Sequence, residues 1–209
     1  MTSDAYTVLH TNIVSGELSP GERLVEEELA EQLQFSRGAV RSALLRLEHE
    51  GLVVRERNRG ARVRRVDAAE AVEILEARAA LESLAAGRAA ERRTDAEAEE
   101  LRAITTEMER LYAAGEFLAM SECNARLHRR ILEISDHKVA LEICQRLNSQ
   151  VVRFQFRTVL APGRPAKSLE EHGAIVDAIA DGDREAAEAA MRLHLSHVVE
   201  TLLKVAAGH

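Results

Sequence analysis

Between Ser36 and Val66 the chain changes period, and that change restricts the available folds more than any other feature. Val40, Ala43, Leu44 and Leu47 recur at the three-to-four spacing of a helix with one apolar stripe, which leaves Arg37, Arg41 and Arg46 toward solvent. Ser36 is a natural N-cap for this helix, expected over 37–50, and Gly51 a natural residue to end it. Two alternating stretches follow, 52–57 and 61–66, joined by Asn58-Arg59-Gly60; strand, glycine-containing turn and strand make a hairpin. Upstream, residues 4–15 predict a helix and the run from Gly16 to Gly21 a break. Residues 25–33 predict a short helix with Leu29, Ala30 and Leu33 on one face, and Gln34-Phe35 as the tight link to the next. Three helices and a basic hairpin in this order describe a winged helix-turn-helix, whose second paired helix enters the DNA major groove.

Charge distribution agrees with that reading, although the chain as a whole carries −7. Residues 34–66 hold nine arginines against three glutamates, whereas 67–209 hold 18 basic and 25 acidic side chains. A basic block beside an acidic remainder suits a phosphate-binding module fused to a separate domain; a solvated charged face gives the same count.

From residue 67 onward only helical periodicity remains. Helices are expected at 68–92, 95–113, 117–134, 138–158, 167–181 and 183–206, separated by Gly115, Ser135–His137, Pro162-Gly163-Arg164-Pro165 and Asp181-Gly182-Asp183. Asp67…Glu70, Thr94…Glu97 and Ser168…Glu171 each have the spacing of a cap with an acid three residues on. The expected fold is mostly α: a winged helix-turn-helix of three helices plus a β-hairpin wing over 1–66, then an antiparallel bundle of about six helices over 67–209. No apolar run reaches membrane-spanning length and the N-terminus lacks the basic and apolar regions of a signal peptide, so a cytoplasmic protein is expected. Cys123 and Cys144 have no motif spacing.

Ile13, Gly16, Leu18, Pro20-Gly21, Leu24, Leu29-Ala30, Leu33, Ser36-Arg37, Val40-Arg41, Ala43-Leu44, Leu47, Gly51-Leu52-Val53 and Gly60 together resemble the GntR-type DNA-binding domain over residues 6–66. The resemblance implies double-stranded operator DNA as partner. Arg37 and Arg41 would contact bases or adjacent phosphates, Arg46 a phosphate, and Arg59 and Gly60 at the wing tip the minor groove or backbone. The pattern is broken by Gln34 where glycine is usual, Ala39 where proline is common and Ser42 where glutamate is common. These bear on the operator sequence more than on the fold.

The second region holds a dispersed set of metal-type donors. Asn124 and His128 share a helix face at i, i+4, while His172 and His194 lie on two later helices. Three imidazoles and an amide oxygen converging in a bundle would suit Zn²⁺, or Ni²⁺ or Mn²⁺, but spacing alone leaves them as ordinary core or surface histidines. Phe117 through His128-Arg-Arg-Ile-Leu, Glu171-His172 with Ala178-Ile179 and Gly182-Asp183, and Met191-Arg-Leu-His194 resemble the FCD-type effector domain of the FadR branch of GntR regulators. That resemblance implies a divalent metal at Asn124, His128, His172 and His194, with Asn124 standing where aspartate is commoner. His197, one turn from His194, could stand in for it but is read first as a helix-surface residue, and His10, His137 and His209 as solvent-exposed.

The resemblance also implies a small organic acid as effector and a homodimer. Arg78, within Glu76-Ala-Arg78-Ala-Ala-Leu81-Glu82, resembles a cavity-lining arginine; its plainer reading is an i, i+4 ion pair with Glu82 on a wet surface. Arg153 and Arg157 are further possible anion contacts. The expected function is transcriptional regulation without catalysis, with repression released by a carboxylate as the default and activation equally compatible with the residues. A regulator that senses the metal itself is the nearest alternative. A metal-dependent enzyme or a plain oligomeric scaffold lies further off: there is no His-Glu-x-x-His, nucleophile elbow or phosphate loop, and both leave the N-terminal module unexplained.

Overall fold

In the computed structural model, residues 4–56, 60–159 and 161–207 are described, apart from the side chains of Glu56, Val152, Arg153, Gln155, Phe156 and Arg157. Two compact units emerge: Met1–Asp67 with Arg146–Arg153, and Ala68–Gln145 with Phe154–His209.

The first unit contains α1 (Ala5–Ser15), β1 (Arg23–Leu24), α2 (Glu26–Gln32), α3 (Arg37–His49), β2 (Val53–Glu56) and β3 (Gly60–Val63). Asp4 caps α1 by accepting from the Thr7 amide at 2.7 Å, and Ser36 caps α3 by accepting from Ala39 N at 3.2 Å. At the other end of α3, Gly51 adopts φ +79°. Its N–H reaches Glu48 O while Leu52 N–H reaches Leu47 O, which closes the helix in a Schellman turn and turns the chain into β2. The stripe read from the sequence is the core: Val40, Ala43, Leu44 and Leu47 are buried with Leu9, Ile13, Leu29, Leu52, Val53 and Val63. The expected hairpin is a three-stranded antiparallel sheet in the order β1-β3-β2, with Arg23 opposite Arg62 and Val53 opposite Val63. The extra strand is two residues long and pairs across 38 or so positions, too short for any alternation to announce it.

The turn between α2 and α3 explains one departure from the family pattern. Gln34 sits in the left-handed region at φ +57°, where glycine carries no Cβ penalty. Its side chain compensates in part by donating from Nε2 to Glu31 O at 2.8 Å.

The second unit is all helix: α4 (Ala68–Arg92), α5 (Asp95–Ala113), α6 (Phe117–Ile134), both ends of α7 (Lys138–Val159, whose Arg146–Arg153 stretch is counted with the first unit), α8 (Arg164–Asp181) and α9 (Arg184–Ala207). Helix α4 packs chiefly along α9, α5 against α6 and α8, and α8 against α9. Alanines 85, 86, 89 and 90 are buried on α4, and with Gly87 they give it a small-residue side that lets neighbours approach closely. Leu101, Met108, Leu127, Ile131, Ile175, Ile179, Met191 and Leu195 fill the interior. Thr94 and Glu97 form a full capping box at the start of α5. The pair Ser168…Glu171 does not cap anything: α8 begins at Arg164, four positions before Ser168. Pro165 lies at the first or second helical position, where its missing N–H costs nothing, so the Pro-Gly-Arg-Pro break is already half helix.

Candidate metal centre and nucleic-acid face

Four helices bring the functional side chains together within the second unit. Helix α6 carries Asn124 and His128 one turn apart, α8 carries Arg164, Ser168, Glu171 and His172, α9 carries His194 and His197, and α4 supplies Arg78 and Glu82. His128, His172 and His194 are all buried, with one ring nitrogen from each within 4.8 Å of the others. His128 Nε2 and His172 Nε2 stand 3.2 Å apart.

Hydrogen bonds behind the rings determine which nitrogen faces inward. His128 Nδ1 lies 2.5 Å from Glu82 Oε2, and His194 Nδ1 lies 2.7 Å from Glu171 Oε2. Both Nδ1 atoms therefore carry a proton toward a carboxylate, leaving each Nε2 a lone pair. His172 Nδ1 meets Ser168 Oγ at 3.3 Å, a contact in which either group can donate. His128 Nε2 and His172 Nε2 are close enough to share one proton or, with both deprotonated, to hold one cation between them. Two nitrogens bound tetrahedrally at about 2.0–2.1 Å stand about 3.3 Å apart, close to the His128–His172 spacing.

Burial first, then His194, His128 and Arg164, hold His172 well below the ordinary imidazole range; burial, His128 and Arg164 do the same for His194. Both rings are thus neutral bases, the form a metal requires. A fourth donor is in place. Asn124 Oδ1 is buried and has no hydrogen-bond partner, and it lines the same cavity of about 50 Å³ as His128, His194, Arg78 and Arg164. The donor set fits a divalent first-row ion.

Arg78 unites the two readings offered for it. It does pair with Glu82 at i, i+4, Nε to Oε1 at 2.7 Å, but the surface is not wet: the side chains are 4% and 1% exposed. Burial on its own would raise the Glu82 carboxyl; Arg78 and His128 override it and hold the group well below the carboxylate range.

Sequence reasoning missed Glu82, Glu171 and Arg164 as parts of this site. Glu171 Oε1 accepts from His197 Nδ1 at 2.7 Å, and Arg164 Nη1 lies 2.9 Å from Glu171 Oε2. His197 is therefore a partly buried support for Glu171 rather than a plain surface residue, and it is not among the clustered histidines. The available signal was the spacing 164, 168, 171 and 172, one helix face, hidden by reading Pro165 as a breaker. His137 accepts from Ala140 N at 3.2 Å at the start of α7, and His10 lies half-buried against the Tyr6 ring, so neither is simply solvent-exposed. His209 and Arg59 lie outside the described residues, as do the side chains of Arg153 and Arg157.

On the first unit, Arg37, Arg41 and Arg46 are exposed along α3. Arg37 pairs with Glu27, and Arg41 Nε lies 2.9 Å from Glu26 Oε2, both acids coming from the first turn of α2. A charge count starting at residue 34 omits these acids, so the arginine row is less bare than composition implied. Exposed pairs of this kind contribute about 0–1 kcal/mol and can be exchanged for phosphate. Arg46 also covers the Tyr6 ring at 3.6 Å and bonds Glu50, which in turn accepts from Tyr6 Oη at 2.9 Å. Gly60 opens β3 at φ +80°, with nothing among the described residues near the position a Cβ would take.

These features define a class: a winged helix-turn-helix joined to a helical bundle that encloses a three-histidine cluster. Residues 1–63 match the bacterial regulatory proteins of the gntR family and residues 73–197 match the FCD domain. The chain belongs to the GntR family of transcriptional regulators, in the branch that carries an FCD domain.

It is 31% identical over 197 residues to the Nta operon transcriptional regulator of Aminobacter aminovorans, covering 93% of this chain and 91% of that one. With the HTH-type transcriptional repressor RspR of Escherichia coli K12 it shares 26% over 200 residues, 96% and 88% of the two chains. With the same organism's putative L-lactate dehydrogenase operon regulatory protein the figure is 31% over 210 residues, 91% and 80%. The solved structure of E. coli McbR/YncC shares the fold at a TM-score of 0.81 and 23% identity, covering 96% of this chain and 95% of that one. Regulators of this family bind DNA operators and are not enzymes, and their FCD domain is a metal-binding domain. Among the described residues, no helix is long and apolar enough to cross a membrane.

Proposed function

We propose that this regulator is a homodimeric repressor whose second unit holds a divalent ion, Zn²⁺ ahead of Ni²⁺ or Mn²⁺, on Asn124, His128, His172 and His194. A small carboxylate bound beside the ion then changes its affinity for operator DNA. The observation that carries the site is the buried, unpartnered Asn124 Oδ1 in one cavity with the histidine cluster. The ion would supply positive charge to attract the acid; this chain's own residues orient the donors through Glu82 and Glu171 and present Arg78 and Arg164 to the anion. A cavity of about 50 Å³ admits an acid of a few heavy atoms rather than a drug-sized ligand, for which pockets of roughly 300 Å³ upward are usual. That one relative is named for an L-lactate dehydrogenase operon makes small hydroxy acids the first compounds to try. Such an acid regulates only by binding DNA-competent and DNA-incompetent states unequally.

Arg37, Arg41 and Arg46, with Arg59 and Gly60 at the wing tip, are the proposed DNA contacts. The test is metal content of tag-free protein beside His128→Ala and His172→Ala. About one divalent ion per chain, lost in both variants, supports the site. Wild-type protein that takes up no Zn²⁺, Ni²⁺ or Mn²⁺ on equilibration refutes it, while gel-shift binding to the DNA upstream of its own gene tests the regulator reading separately.

A further inference from the structure

Among the described residues, every arginine of α3 and β2 already holds a carboxylate. Arg37 pairs with Glu27; Arg41 Nε lies 2.9 Å from Glu26 Oε2, Arg46 Nε 3.3 Å from Glu50 Oε1 and Arg55 Nε 3.1 Å from Glu48 Oε2. Glu26 Oε1 also stands 3.9 Å from Arg55 Nη2, so one acid in the first turn of α2 serves an arginine of the recognition helix and one of the wing. With Arg23, Arg55 and Gly60 it lines an open groove of about 370 Å³, so a phosphate entering beside those arginines meets a carboxylate. Helix electrostatics alone does not explain its place: acids favour any first turn, and Glu28 in the same turn has no ion pair with a described residue. The grip on Arg41 is through Nε, which leaves Nη1 and Nη2 on a side chain that is 64% exposed.

We propose that Glu26 is a specificity-determining residue for DNA, acting through Arg41 and Arg55; the inference rests on the DNA contacts proposed above. Its charge cancels the attraction of these arginines for phosphate, which any sequence offers. Exchanging a carboxylate for a phosphate replaces one ion pair with another, so a complex made only of backbone contacts gains little. Its hydrogen bond to Nε fixes the plane of Arg41 and leaves the outer fork for O6 and N7 of a guanine, a contact that discriminates roughly 5–150-fold. Glu26 thus lowers binding to random DNA while supporting the base contact, and the two effects together widen the gap between operator and background. Glu27 adds to the first effect through Arg37.

The test is fluorescence anisotropy of full-length protein, across a salt series, on two labelled duplexes: one of random sequence, and one selected by the wild-type protein from a random-sequence pool. Glu26→Ala should bind the random duplex about fivefold more tightly, with a salt slope steeper by up to about 0.9, and the selected duplex several-fold more weakly. Glu26→Gln removes the charge but keeps an oxygen for Arg41 Nε. It should tighten the random duplex equally and bind the selected one at least as well as wild type. Glu28→Gln, its charge screened from the arginines, should change the ratio of the two affinities by less than about twofold. Equal gains for Glu26→Ala on both duplexes reduce the residue to bulk charge and overturn the inference, as does a Glu28→Gln effect of the same size. So does a Glu26→Gln protein that binds the random duplex no more tightly than wild type, the conservative variant deciding even where alanine loosens α2. Arg41→Ala binding both duplexes like wild type overturns the DNA-contact reading itself, and with it this inference, as does failure to select any sequence.

Discussion

Replacing Glu82 by alanine should destabilise the second unit more than any single surface change could. The residue is 1% exposed and receives two charge-assisted bonds, from Arg78 Nε at 2.7 Å and His128 Nδ1 at 2.5 Å. Its removal strands a guanidinium that is 4% exposed. Breaking a buried pair in this way costs about 3–5 kcal/mol, because the surviving charge keeps its desolvation penalty and loses its partner. For a protein of this size that corresponds to roughly 6–20 °C in Tm. The double replacement Arg78→Met with Glu82→Leu removes both charges and should recover about half of the loss. A residue of about 1–3 kcal/mol should remain, since His128 Nδ1–H is still left unsatisfied in the core. Urea denaturation of EDTA-stripped protein followed by circular dichroism measures both, with metal kept out so that ligation and folding are not confounded. A loss below about 1 kcal/mol for Glu82→Ala, the range of a solvated pair, would refute the claim that this network is dry and charged. So would a double variant no more stable than the single one.

Four shorter predictions concern the rest of the molecule. Gln34→Gly should stabilise the first unit by about 0.5 kcal/mol, the left-handed penalty relieved at φ +57° exceeding glycine's entropy cost and the lost bond to Glu31; destabilisation on thermal melting would contradict this. Thr94→Ala should cost about 1 kcal/mol in the same assay, because it removes the hydroxyl that accepts from Glu97 N at 3.2 Å. His172 and His194 are held below the usual 6.5, so the unfolded chain binds more protons than the folded one on acidification. Stability of metal-free protein should fall as pH drops below about 6.5, by up to about 1.4 kcal/mol per pH unit for each histidine; a flat profile between pH 7.5 and 5.5 would refute the burial argument. Arg37→Ala and Arg41→Ala should each weaken operator binding and, where the contact is to phosphate, lower the salt slope by about 0.9; unchanged affinity and slope would remove that residue from the interface.

The local architecture was legible because its causes are local. Ser36 and Gly51 bound α3, the Val40–Leu47 stripe finds its core, and Thr94 with Glu97 starts α5, all through interactions within a few positions of one another. The start of α8 was read late because Pro165 looked like a stop, though proline is equally at home in a first turn. The same misreading concealed Arg164.

The site divides along a similar line. Chemistry of the donors and the i, i+4 pairing of Asn124 with His128 belong to the sequence, as does the charge contrast between the two regions. Nothing in local spacing relates His128 to His172, 44 positions away, or to Glu82, 46 positions away. That convergence is decided by how α4, α6, α8 and α9 pack, and with it the change of Arg78 and Glu82 from an ordinary helix-surface pair to a buried support for a metal ligand. Periodicity tells a helix which face to bury; it does not say which other helix will be waiting there.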